Sequence, residues 1–234
     1  MSIIGLVLYG SRARGDHVAQ SDVDLLGLTR GGTPAKHATG HVRLSIYPLD
    51  HVVGRARAGD LFAFHIVSEG RVVYERGPVF ESIVNAFALR SDYSREIGLA
   101  SDVGWFLLHH RARFLDAERL NQRMSWCART MLTAAAANQG VAVFSTAGLA
   151  AFAGSDDVAA VIASKRGADD AEALADRFRQ ILVRFGRPEP PPLATVDAER
   201  RRFEADENAA GVIAIRAMLR HAGAPASATE RGEA

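Results

Sequence analysis

Two aspartates one residue apart, Asp22 and Asp24, sit in an apolar stretch shortly after a Gly-Ser pair, Gly10-Ser11. On a strand, Asp22 and Asp24 point to the same face, because strand side chains alternate with period two. Two carboxylates on one face repel unless a cation lies between them. Hard oxygen donors of this kind suit Mg²⁺ bridged to phosphate oxygens. Gly10 lets the backbone turn tightly and come close to a ligand. Ser11 brings a hydroxyl and a backbone N–H to the start of the next turn, where unpaired amides favour anions. Arg12 and Arg14 follow at once; phosphate contact and a plain surface role are equal expectations for them. The stretch reads as a phosphate cradle beside a metal clamp.

These residues need a frame. Ile3 to Tyr9 is a continuous apolar run, consistent with a buried strand, and Val23 to Thr29 is a second. Glycines, Pro34 and small polar residues mark Gly27 to Gly40 as a loop. His41 to Tyr47 alternates, with Val42, Leu44 and Ile46 on an apolar face and Arg43, Ser45 and Tyr47 on a polar one, which predicts a half-buried strand. Asp50 to Arg57 reads as a short helix capped by Asp50, and Leu61 to Val67 as a helix ending near Gly70. Arg71 to Tyr74 reads as a short edge strand.

From about Pro78 the chain turns helical. Helices are expected from Val79 to Leu89, from Asp92 or Ser94 to about Leu115, and from Ala117 to Asn138. Others are expected over Ala147 to Ala153, Val158 to Ser164 and Asp169 to Phe185, then one from about Val196 to His221. His109, His110, Arg111 and Arg113 are expected mostly in solvent, and Trp105, Trp126 and Cys127 in the core. The fold class is α+β: a small mixed-sheet head, residues 1–78, a helical bundle over 79–223, and a frayed tail at 224–234.

Composition removes several alternatives. Net charge is +1, so a broad basic footprint for nucleic acid is not indicated. The single cysteine, Cys127, excludes an internal disulfide and a multi-cysteine zinc site. No apolar run approaches a membrane span. Met1 to Tyr9 lacks a basic leader and a cleavage site, so a cytoplasmic protein is the expectation. Arg216 and His221 match an Arg-x4-His spacing seen in helical RNases, but Arg12 and His17 show it too, so it is read as chance.

The run Gly10-Ser11-Arg12-Ala13-Arg14-Gly15, followed by Ser21-Asp22-Val23-Asp24-Leu25, resembles the signature of the DNA polymerase beta-like nucleotidyltransferase superfamily. The segment from Leu61 through Gly70 and Tyr74 looks like stand-alone bacterial members with a helical second domain. The resemblance implies that Gly10 and Ser11 hold a nucleoside triphosphate, ATP being the expected one, and that Asp22 and Asp24 bind Mg²⁺ and are catalytic. An NMP group would pass to a hydroxyl or similar acceptor on a small molecule, a protein or RNA. The rivals are a non-catalytic nucleotide-binding or regulatory module and a toxin–antitoxin component that modifies a partner. A homodimer is an open expectation. Family members place a third carboxylate on the next strand; the matching position here is Arg43, which brings a positive charge and a fork suited to phosphate oxygens. Asp50 and Glu69 are the other acids in range. The family also has a helix ahead of the first strand, where this chain begins almost at the strand.

Overall fold

The computed structural model describes residues 2–166 and 170–219. Residues up to Ser91 form one compact unit, and those from Asp92 onward form another. The first is built on a five-stranded sheet in the order β3-β4-β2-β1-β5. Its strands are β1 (Ile3–Tyr9), β2 (Val23–Thr29), β3 (Ala35–Thr39), β4 (Val42–Pro48) and β5 (Arg71–Glu75). β2 and β4 run parallel, and the other neighbours are antiparallel. The helices of this head are the one-turn α1 (Ser11–Arg14), α2 (Leu49–Arg57), α3 (Leu61–Glu69) and α4 (Val79–Ala86).

One face of the sheet carries the head's core. Val7, Leu26 and Leu28 from the strands meet Val52 and Ala56 of α2, Ala63 and Ile66 of α3, and Val79 and Ile83 of α4. Those last two contacts place α4 in the head, so the contact boundary at Ser91 falls later than the change of composition near Pro78. Asp60, not a residue inside the run, caps α3 by accepting from the N–H groups of Phe62 and Ala63, a contribution of about 1 kcal/mol. α2 starts one residue earlier than expected, with Pro48 in the capping position, so Asp50 lies in the first turn and caps nothing.

Two strand assignments change. The stretch expected as a loop contains β3, which pairs antiparallel with β4 from Ala35 opposite Ile46 to Thr39 opposite Val42. β4 also turns its faces the other way. Ser45 and Tyr47 are each 7% exposed, while Leu44 and Ile46 are only half-buried and Val42 is exposed. The register explains the reversal. Leu26 lies opposite Ser45 and Leu28 opposite Tyr47, so the side of β4 that looked polar shares the helix-covered face with the two fully buried leucines.

The second unit is helical. It comprises α5 (Ser94–His109), α6 (Ala117–Asn138), α7 (Thr146–Ala153), α8 (Asp156–Ala163), α9 (Ala171–Phe185), α10 (Val196–Ala205) and α11 (Ala209–Met218). α5 and α6 form its centre, with α8, α9 and α11 packed on them. Trp105, Phe106, Met131 and Phe178 are fully buried there, as is Cys127, and Trp126 packs half-buried against them. Side chains of Asp116, Ser145, Ser155, Asp170, Thr195 and Asn208 cap six of these helices. The helix expected to run unbroken from Val196 is two. Glu207 takes a left-handed conformation between them, and Asn208 restarts the chain by accepting from the N–H of Gly211. His221 and residues 224–234 lie outside the described residues. Among the described residues, no helix is long and apolar enough to cross a membrane.

The histidines expected in solvent turn inward. His109 is 11% and His110 10% exposed at the side chain. His110 Nε2 lies 3.8 Å from Oε1 of Glu199, whose side chain is 1% exposed and whose other oxygen lies 2.9 Å from Arg202 Nη2. Burial lowers the His110 pKa; Glu199 opposes that shift, and Arg113 and His109 add to it. The folded state therefore binds the proton less readily than the unfolded chain, whose histidine keeps the ordinary value. The resulting stability is complete above that ordinary value and is lost as pH falls through the window down to the folded one. Urea unfolding midpoints measured from about pH 8 to about pH 5 should drop toward acid in the wild type and drop less in His110→Gln.

Candidate active site

The turn after β1 is built around one backbone conformation. Gly10 has φ 74° and ψ −156°, a region essentially reserved for glycine. Tyr9 lies opposite Asp24 in the β1–β2 register, which brings the turn against β2. A Cβ on residue 10 would lie 2.9 Å from Asp24 Oδ2, so the missing side chain is what lets the carboxylate reach the turn. Ser11 opens α1, and its carbonyl accepts from the N–H groups of Gly15 and Asp16, which closes the turn.

The two arginines of the motif hold this turn in place. Arg12 donates from Nε and Nη2 to the carbonyl of Ser21, at 3.3 and 3.0 Å, and so anchors the turn to the residue before Asp22. Arg14 donates to both oxygens of Asp16 and, at 2.7 Å, to Oε2 of Glu69 at the end of α3. Burial works against the Arg14 charge, but the hydrogen bonds to Asp16 and Glu69 outweigh it and raise the pKa. The same Glu69 oxygen lies 2.7 Å from His65 Nε2. With Glu69 10% exposed at its side chain, this is a half-buried brace across the head. Glu69→Ala should cost about 2 kcal/mol, between the worth of an exposed and of a fully buried pair. Urea denaturation of the full chain measures it, and Glu69→Gln should restore part of the loss.

β2 begins at Val23, which puts Asp22 at its mouth and Asp24 inside it. Asp22 is 35% exposed at the side chain; Arg43 Nε lies 3.5 Å from its Oδ2, and His41 Nδ1 3.9 Å from its Oδ1. Arg43 sits opposite Asp24 on the parallel strand β4. Asp24 has a different neighbour: the partly buried phenol of Tyr9, whose pKa is pushed up by burial and then by the Asp24 charge, against a hydrogen bond with Ser45. Tyr9 packs edge-on against Phe62 and His65. The structure thus gathers Gly10, Ser11, Asp22, Asp24 and Arg43 at one end of the helix-covered face. Asp50 lies exposed in the first turn of α2.

The donor set fits one divalent ion. Mg²⁺ is commonly held by one or two carboxylates and completed by substrate phosphates and water, without a protein cage. Asp22 and Asp24 offer hard oxygens, and the bare Gly10 leaves space beside one of them. Among the described residues, no group of three or more His, Cys, Asp or Glu could hold a metal.

Residues 2–71, from β1 to the first residue of β5, match the family model described as a nucleotidyltransferase domain. The head is a nucleotidyltransferase domain. The match contains the glycine–serine turn, both aspartates, Arg43 and Glu69. A solved nucleotidyltransferase-like protein from Exiguobacterium sibiricum 255-15 is also similar, at 15% identity and a TM-score of 0.36, covering 95% of this chain and 90% of that one. Curated proteins give no match. Within the nucleotidyltransferase head, the Glu69 brace and the Tyr9–Ser45 contact had not been read from the sequence. The spacing of His65 and Glu69, four apart on a helix, was the available signal for the first.

Proposed function

We propose that the protein is a Mg²⁺-dependent nucleotidyltransferase that moves an NMP group from an NTP, with ATP the expected donor, to a hydroxyl or similar acceptor on a small molecule, a protein or RNA. One observation carries the reading: the Asp24 carboxylate rests against the bare Gly10 of the turn that Ser11 opens. In this proposal Ser11 and the turn amides hold the β- and γ-phosphates. Asp22 and Asp24 hold the ion, which when bound neutralises phosphate charge. The acceptor oxygen attacks the α-phosphorus in line: its bond to phosphorus forms, its proton is released to solvent, and the bond to the leaving pyrophosphate breaks. Arg12 and Arg14 contribute by holding the turn. The chain's remaining work is positioning, which suits a reaction with little covalent chemistry for the protein to do.

A second reading, nucleotide binding without transfer, is favoured by the pairing of Asp22 with Arg43. One assay separates the two. The protein is incubated with each labelled NTP, Mg²⁺ and pools of small-molecule, protein and RNA acceptors, beside Asp22→Ala/Asp24→Ala. Label transfer lost in the double variant supports the enzyme. NTP binding with no transfer to any pool supports the regulatory reading.

A further inference from the structure

The strand register sets the cation count of the site. β2 and β4 are parallel, with Asp24 opposite Arg43, so a side chain at position 43 is the cross-strand neighbour of the aspartate pair on the same face. Two ions that act together on phosphoryl transfer sit about 3.5–4 Å apart and need carboxylate oxygens shared between and flanking them. The head offers the oxygens of Asp22 and Asp24, and among the described residues no further acid, histidine or cysteine completes a larger metal group there. The position from which a third ligand would reach the pair holds a guanidinium, with Arg43 Nε 3.5 Å from Asp22 Oδ2. That group stays charged throughout the working pH range and donates hydrogen bonds only. It therefore opposes a second cation beside the aspartate pair and attracts the phosphate oxygens that ion would otherwise contact.

We infer that the head binds its nucleotide with a single divalent ion, and that Arg43 supplies in fixed form the positive charge of a second. Asp24, aimed at the Gly10 turn, is then the principal ligand, and Asp22 is shared between the ion and Arg43. The inference rests on the nucleotide-and-metal reading above and adds a count to it. Arg43 is half-exposed and outside the head's core, so it can be replaced without emptying packed space.

Mn²⁺ serves as the probe. The full chain is mixed with an equimolar non-hydrolysable ATP analogue, and protein-bound Mn²⁺ is counted by electron paramagnetic resonance of the free ion. The expected count is one ion per bound nucleotide in the wild type and in Arg43→Lys. In Arg43→Asp it should rise to two, because a ligand replaces the guanidinium. Two ions per nucleotide in the wild type would overturn the inference while leaving the nucleotide reading intact, as would a count that stays at one in Arg43→Asp. Nucleotide bound with no ion, or no nucleotide bound, would overturn the reading beneath it and the inference together.

Discussion

Asp24→Asn should lower the proposed NMP transfer by about a thousandfold while leaving the chain folded. Asparagine keeps the shape and one oxygen of the side chain but removes the charge that faces the Gly10 turn. A carboxylate acts on phosphate charge only through the cation it would hold; losing that stabilisation costs several kcal/mol, and each 1.36 kcal/mol is about tenfold in rate. Asp22→Asn should have a smaller effect, because Asp22 is already partly neutralised by Arg43. The loss should fall on kcat/KM and be accompanied by weaker metal-dependent NTP binding, which steady-state kinetics and calorimetry read separately. Stability should hold. Asp24 lies beside a partly buried phenol whose ionisation its charge opposes, so removing the charge also brings the Tyr9 pKa down, though burial keeps it above the ordinary tyrosine value. Circular dichroism and urea unfolding of Asp24→Asn check that the fold is kept, without any assay of activity.

The second large effect is expected from one methyl group. Gly10→Ala places a Cβ 2.9 Å from Asp24 Oδ2 and forces a non-glycine residue to φ 74° and ψ −156°. The backbone strain alone costs on the order of 1–3 kcal/mol. The contact adds to it, since either Asp24 must rotate away or the turn must move. Arg12 and Arg14 resist movement of the turn, because they tie it to Ser21 and to Glu69. Asp24 is therefore the group that gives way. NTP binding should fall at least about tenfold, for a variant whose urea midpoint shifts only modestly. If binding were retained at full strength in Gly10→Ala, the close approach of turn and carboxylate would have no part in holding the nucleotide.

What could be read from the sequence follows the range of the interactions. β1, the turn and the aspartates are carried by contiguous apolar runs and a local motif, and the structure places them together. β3 lies in a stretch whose glycines, Pro34 and small polar residues mark a loop; its strand character comes from the β4 ladder, which no local pattern encodes. β4 shows the difference between period and direction. Alternation correctly separates Leu44 and Ile46 from Ser45 and Tyr47, but only pairing with β2 decides which set is covered. The brace from Arg14 to Glu69 spans 55 residues, so its partner was out of reach of any spacing rule. His110 lies near the end of a helix, where solvent is the expectation, yet it packs on Phe106 and beside Glu199, a residue far along the chain. In each of these cases a tertiary contact overrode or completed a local preference.

The most direct test of the central claim is calorimetric titration of ATP into the wild-type chain and into Asp22→Asn/Asp24→Asn, each with and without Mg²⁺. The wild type should bind only when the ion is present, and the double variant should bind about a hundredfold more weakly or not at all. Equal binding by the two proteins, or wild-type binding indifferent to Mg²⁺, would contradict the assignment of the glycine–serine turn and the aspartate pair as the nucleotide and metal site.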